Sequence, residues 1–179
     1  MRSLADWTAG FPPRAPSASP CWAHEGYDAA WNARQRTATR CGIHVAWVEH
    51  LLRRYGSLAI EVLDLCVADP ILAEALSGAN DYLAAEVVYA ASHEGARHLD
   101  DVLTRRTRIS IETWDRAVSA AGAAAVLMAT VLGWSDEQQA REVEHYLARV
   151  EAEWASQQQP DDETADSARM RASEIVPLT

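Results

Sequence analysis

Lysine is absent: all sixteen basic side chains among the 179 residues are arginines. Schiff-base chemistry, a lysine general base and the lysine of a phosphate-binding loop are thereby excluded. Cysteine is scarce and odd in number, at Cys21, Cys41 and Cys66, with no C-x-x-C. Neither a disulfide framework nor a zinc knuckle is indicated, and a reducing cytoplasm is the expected setting. Long apolar runs are missing too. The most apolar stretch, Ala120 to Trp134, is fifteen residues and is interrupted by Gly122 and Gly133, which is too short to span a bilayer and reads as a buried helix. The opening MRSLADWTAG lacks the apolar h-region of a secretory leader. No G-x-G-x-x-G and no G-x-S-x-G occurs, so the dinucleotide-binding βαβ unit and the hydrolase nucleophile elbow are both lacking.

What is present is acid. The net charge is −10, divided as +3 over residues 1–60 and −13 over residues 61–179. Such a balance repels phosphate backbones, and no basic stripe interrupts it, so nucleic-acid binding is not expected. The anionic face of a membrane is disfavoured on the same ground. The length suits one domain with one sizeable core.

Residues 1–25 stand apart, with Pro12, Pro13, Pro16, Pro20 and Phe11 among Ser and Ala and no period to organise them. They are expected to be an irregular, poorly ordered lead-in to a helical domain over 26–158, with an acidic polar tail over 159–179. From Asp28 apolar residues recur at three- and four-residue spacing, and an all-α fold is predicted: a single compact, bundle-like domain of six to eight helices. Helices are expected over 28–41 and 44–54, the second with Val45, Val48 and Leu52 on one face. Gly56 then serves as C-terminal cap and Ser57 as the next N-cap for a helix over 58–66. Asp69-Pro70 restarts a short helix to about Leu76, and residues 77–80 form a loop. Residues 81–92 are assigned to helix on the strength of their alanines and Glu86. Further helices are expected over about 97–106, over 111–132 capped by Ser110, and from Ser135 to about Gln158. The last carries Val143, Tyr146, Leu147, Val150 and Trp154 as one apolar stripe. The polar segment after Pro160 is expected to be disordered, with Ile175, Val176 and Leu178 available to dock. The tryptophans at 31, 47, 114, 134 and 154 are read as core anchors.

The densest chemistry lies in Ser92 to Ile109, SHEGARHLDDVLTRRTRI. Asp101 and Arg105 stand four apart with the acid nearer the N-terminus, the favourable order for a helical ion pair. Arg105, Arg106 and Arg108 crowd three cations into four residues and require neutralisation, for which Glu94, Asp100, Asp101 and Glu112 are the available acids. Two roles stay open: an ion-pair network tying helices together, or arginines that face a neighbouring domain or an anionic ligand. His93 and His98 are five apart, about 140° round a helix, and do not share a metal; His44 and His50 fail by about 120°. Asp100 and Asp101 are adjacent and point apart on a helix, which disfavours general acid-base work.

The same run resembles the signature of the C-terminal helical domain of FAD-dependent glycerol-3-phosphate dehydrogenases, the α-glycerophosphate oxidase C-terminal domain. In that family an H-E pair precedes D-D-x-L-x-R-R-T-[RK]. Three further blocks are similar, in order: EHLLRRYGSLAIEVLDL (Glu49 to Leu65), DYLAAEVVYAASHE (Asp81 to Glu94) and LGWSDEQQAREVEHYLARVEAE (Leu132 to Glu153). Before Gly26 the likeness stops, with Glu25-Gly26-Tyr27 as its last trace, and a shifted reading frame or alternative start is the expected origin of residues 1–24. The resemblance implies a family that oxidises glycerol 3-phosphate to dihydroxyacetone phosphate with FAD. It also implies that flavin- and substrate-contacting residues lie outside this stretch, so that the chain is a detached, non-catalytic domain, inactive alone. No catalytic, cofactor-binding or metal residue is assigned. Tyr55, Glu94, Asp100, Asp101, Arg105, Arg106 and Arg108 are the structural or partner-interface candidates. The expected partner is a separately encoded FAD-binding half, with a cytoplasmic location, peripheral to the inner membrane when that half is bound. An independent helical module that binds protein or ligand is the alternative.

Overall fold

A computed structural model describes residues 26–173 and Val176; the lead-in over 1–25, Ile175 and Leu178 lie outside the described residues. Eight α-helices dominate the described residues. Helix α1 (Tyr27–Cys41) ends where Gly42, at φ 68°, turns its N–H back to Ala38 and Thr39, a left-handed cap that glycine adopts without strain. Helix α2 (Val45–Tyr55) starts at His44, whose imidazole accepts from the Ala46 N–H, and it buries Val48, Leu51, Leu52 and Tyr55. A 3₁₀ turn over Gly56–Leu58 leads into α3 (Ala59–Ala68). Ser57 therefore lies inside that turn and does not cap α3, whose preceding residue is Leu58.

The expected short helix over 70–76 is a correction. A 3₁₀ turn, Pro70–Ala73, is started by the Asp69 carboxylate accepting from the Ile71 N–H at 3.0 Å. The chain then forms β1 (Ala75–Leu76) and β2 (Ala79–Leu83), an antiparallel hairpin that pairs Leu76 with Ala79. Gly78, at φ +84°, makes the tight turn, and a Cβ there would lie 2.4 Å from the Ser119 backbone carbon. The fold is otherwise all-α.

Helix α4 (Ala84–Ser92) is the centre: Ala84, Ala85, Glu86, Val87, Tyr89, Ala90 and Ala91 are all buried. A helix enclosed on every side needs small, apolar surfaces all round. The interior accordingly forms two clusters that meet on α4. Ala85 and Tyr89 face α1, α2 and α3, with Leu51, Val62 and Leu63, while Val87, Ala90 and Ala91 face Leu99, Leu103, Ala121, Ala124 and Met128.

The segment predicted as one helix over 111–132 is two. Helix α5 (Ile109–Glu112) stops, Arg116 and Ala117 take φ of 54° and 64°, and α6 (Val118–Leu132) begins. Thr113 Oγ1 accepts from the Ala117 N–H at 2.7 Å, and Asp115 accepts from the Ser119 N–H at 2.7 Å. These local side-chain bonds outcompete the helical ladder, so Ser110 sits within α5 and caps nothing. Helix α7 (Asp136–Gln157) starts as expected, with Ser135 accepting from the Gln138 N–H. Its stripe divides: Tyr146 and Val150 are buried, Val143 packs against the core, and Leu147 and Trp154 are exposed, each about 80–100° round the helix from Tyr146. The acidic stretch after Pro160 carries order where none was expected. Asp161 caps α8 (Asp162–Arg169) by accepting from the Thr164 N–H, Ala168 is buried, and Val176 is buried beyond it.

Candidate functional site: an arginine-lined concavity over buried glutamates

The signature run leaves α4 at His93, turns at Gly95 and enters a π-helical turn, Asp101–Arg106. Wide turns of this kind recur at functional sites. Asp101 organises its start by accepting from the Arg97 and His98 N–H groups at 3.1 and 3.0 Å. Burial pushes its carboxyl up, yet those two N–H groups and the Arg105 guanidinium hold it below its ordinary value. Arg105 lies 2.7 Å from both Asp100 and Asp101. The adjacent acids therefore converge on one nitrogen instead of pointing apart, because the long arginine folds back between them. Thr107 Oγ1 donates to the Val102 carbonyl at 2.6 Å and closes the turn.

Two glutamates that sequence reasoning passed over anchor this surface from beneath. Glu86 is 0% exposed. It accepts from the Leu83 N–H at 3.1 Å and from the Tyr55 hydroxyl at 3.2 Å, and lies 3.2 Å from His50 Nε2 and 3.7 Å from Arg54 Nε. Burial raises the pKa of the Tyr55 hydroxyl, and Glu86 reinforces the shift, as expected for a phenol that stays a donor. Arg54 Nε makes no hydrogen bond among the described residues, while its terminal nitrogens donate to the Tyr82 hydroxyl at 3.3 Å and the Arg106 carbonyl at 3.0 Å, tying α2 to the π-turn. Glu142, 1% exposed, accepts from the Leu99 N–H at 3.0 Å and Gln138 Nε2 at 3.1 Å, and sits 2.9 Å from His98 Nδ1. His93 instead stacks on Tyr89, ring centroids 4.7 Å apart.

Above Glu86 opens a concavity of about 600 Å³ lined by His50, Arg53, Arg54, Tyr55, Glu94, Arg105, Arg106, Arg108 and Glu112. Five of the seven sequence candidates meet here; Asp100 and Asp101 stand behind the wall. Commitments differ among the arginines. Arg53 reaches Glu49 at 3.4 Å and Arg108 reaches Glu112 at 3.5 Å. Arg106 is exposed, and among the described residues its guanidinium has no ion-pair partner within 4 Å and no hydrogen bond. Its electrostatic counterpart is Glu94, whose carboxyl burial pushes up against the pull of Arg106 and Arg54. Glu94 Oε2 is buried without a hydrogen-bond partner among the described residues.

Alongside, α5 and the turn after it present apolar groups to solvent. Ile111 is 68% exposed and Trp114 101%, on the lip of a second depression of about 600 Å³ reaching Tyr146 and Arg149. Trp31, Trp47 and Trp134 pack against the core as expected; Trp114 does not, since the break after α5 turns it outward. Among the described residues the one sheet is the two-stranded antiparallel hairpin, with no parallel βαβ unit. No helix among them is long and apolar enough to cross a membrane.

An enclosed helical core, an arginine-lined face and an outward tryptophan define a helical domain with an uncovered face. Residues 23–139 match the C-terminal domain of alpha-glycerophosphate oxidase, and the chain belongs to that family. It is 47% identical over 150 residues to glycerol-3-phosphate dehydrogenase 2 of Mycobacterium tuberculosis and, equally, to the glycerol-3-phosphate dehydrogenase of Mycobacterium leprae, matching 84% of this chain and 26% of each relative. The Synechocystis glycerol-3-phosphate dehydrogenase is 31% identical over 104 residues, 58% of this chain and 19% of the relative. The chain thus spans about a quarter of the length of the mycobacterial relatives. No solved structure matches it.

Proposed function

We propose that this chain is the non-catalytic helical part of an FAD-dependent glycerol-3-phosphate dehydrogenase, and that it acts by packing on a flavin-binding part that oxidises glycerol 3-phosphate to dihydroxyacetone phosphate. The carrying observation is the 47% identity to dehydrogenases of which the chain covers only 26%. Their remaining three-quarters is where this reading places the flavin and the chemistry. The exposed pair Ile111 and Trp114 favours a partner over an independent module, because a fully solvated tryptophan beside a depression is what an uncovered interface presents. Arg116 and Arg149 line the depression beside that pair, and Glu112 also borders the arginine-lined concavity, where charge steers association. Location follows the partner: cytoplasmic, and at the inner membrane when the flavin part is bound there.

The test is co-expression of the chain with the first three-quarters of the Mycobacterium tuberculosis relative, followed by purification through a tag on the helical chain. A yellow complex that reduces a dye in a glycerol 3-phosphate-dependent manner is expected, with the helical chain alone inactive. Recovery of a soluble flavin part that neither binds the chain nor gains activity from it defeats the reading.

A further inference from the structure

We propose that the arginine-lined concavity binds a small phosphate dianion, inorganic phosphate or a phosphate monoester, with Arg106 as principal ligand and Arg53 and Arg108 as flanking donors. Three separate stretches, α2, the π-turn and the approach to α5, deliver guanidinium groups to one concave surface. Its size of about 600 Å³ falls in the range of small-molecule sites. Arg106 brings five N–H donors and spends none of its side-chain donors on the described residues. The Arg53 and Arg108 pairs are long, at 3.4 and 3.5 Å, on arginines each 65% exposed; pairs of that kind hold their partners weakly, so Arg108 is free to turn to a ligand, and Arg53 does so by giving up a long ion pair and a stack 5.6 Å from the Trp31 ring.

Arg54 plays a different part. Its bond to the Arg106 carbonyl at 3.0 Å fixes the backbone from which Arg106 projects, which lowers the cost of ordering the site. Planar guanidinium forks match phosphate oxygens bidentately. The chain's net charge of −10 repels an extended polyanion, whereas a compact dianion needs only the local field of this surface. At the wall, Glu94 Oε2 is buried and lacks a hydrogen-bond partner among the described residues.

The inference is read on this chain alone, so it stands or falls separately from association with a flavin part. Titration calorimetry and thermal melts of the full chain compare inorganic phosphate with chloride at equal ionic strength, which removes general screening. Phosphate-specific stabilisation that grows with concentration is expected, together with a heat of binding. Arg106→Gln removes no ion pair within 4 Å and no hydrogen bond among the described residues, only the attraction to Glu94, so its melt in chloride should stay close to the parent while its binding weakens by about tenfold or more. Should that variant fail to fold, Arg53→Gln on the exposed side of α2 serves, with a smaller loss. Glycerol 3-phosphate run in parallel separates the sources: tighter binding of the ester marks a monoester site, equal binding a free-phosphate site. Stabilisation by phosphate no greater than by chloride, or an undiminished response in the folded arginine variants, overturns the proposal. So does protection by an acidic peptide where phosphate gives none, which would make the concavity a protein contact.

Discussion

Replacing Glu86 with alanine removes the acceptor at the junction of the two clusters. The Leu83 N–H, the Tyr55 hydroxyl and His50 Nε2 each lose a partner now at 3.1 to 3.2 Å, and Arg54 loses the acid 3.7 Å away. None of these groups is well hydrated, since Tyr55 is buried and the Arg54 side chain is 17% exposed. Breaking a buried ionic network by deleting one member costs about 3–5 kcal/mol. For a chain of this size each kcal/mol shifts the midpoint by about 2–4 °C, so the melt should fall by about 6 to 20 °C. Glu86→Gln, which keeps an acceptor for the Leu83 N–H and the Tyr55 hydroxyl, should recover roughly half of that. Circular dichroism melts of Glu86→Ala, Tyr55→Phe and the double variant supply the coupling, expected at about 1 to 2 kcal/mol for groups in direct contact. If Glu86→Ala melts within about 2 °C of the parent, or if the two changes simply add, Glu86 is not the hub described here.

Gly78→Ala should cost about 2 to 4 kcal/mol, because φ is +84° and the new Cβ meets the Ser119 backbone; urea unfolding reads this, and a loss below about 1 kcal/mol counts against the close approach. Asp101, held below its ordinary value, contributes stability that is present above the unfolded value of about 3.9 and lost as pH falls through its lower folded value. Asp101→Asn should therefore flatten the acid limb of a stability-against-pH curve and remove about 1 to 2 kcal/mol at neutral pH. Glu94 runs the other way: its raised pKa means a contribution complete below the unfolded value of about 4.3 and lost as pH rises through the folded one. Glu94→Gln should thus stabilise at neutral pH and not below about pH 4; an unchanged or inverted dependence refutes the burial of Glu94. Trp114→Ala should alter the melt by no more than about 0.5 kcal/mol, since the ring is fully exposed, while weakening copurification with the flavin part; a large loss of stability would show that Trp114 packs in this domain.

The helical register and the charged run were legible in the sequence because both are local. Alanines and Glu86 marked most of α4, small residues marked the stretch that holds α6, the Asp101–Arg105 spacing set their pairing, and Ser135 and Gly42 marked helix ends by their own chemistry. Glu86 and Glu142 were not legible as hubs, since apart from the local Leu83 N–H and Gln138 their partners lie 31 to 44 residues away. One signal was available: Glu86 is the sole charge between Leu83 and Ser92, and an acid in so apolar a helix must be paired or pay a heavy desolvation penalty. The break at residues 113–117 was hidden because Thr113 and Asp115 read equally well as the first turn of a helix or as caps that interrupt one. Trp114 shows a different limit, as an aromatic side chain has the same sequence signature whether it anchors a core or awaits a partner.

Buried acid and exposed cation form one structure here. Glu86 holds Arg54 within 3.7 Å, Arg54 donates to the carbonyl of Arg106, and Arg106 is left with its guanidinium unspent. On the other side Asp100 and Asp101 restrain Arg105, so that of three crowded arginines one is tied down, one is loosely paired to Glu112, and one projects freely. The third cation makes no ion pair within 4 Å among the described residues; apart from its attraction to Glu94 it adds to the repulsion among its neighbours. The paired acids therefore have a second effect beyond joining helices: they lower the repulsion that would otherwise scatter the arginine side chains, and so keep a concave cationic surface assembled on a chain whose net charge is −10.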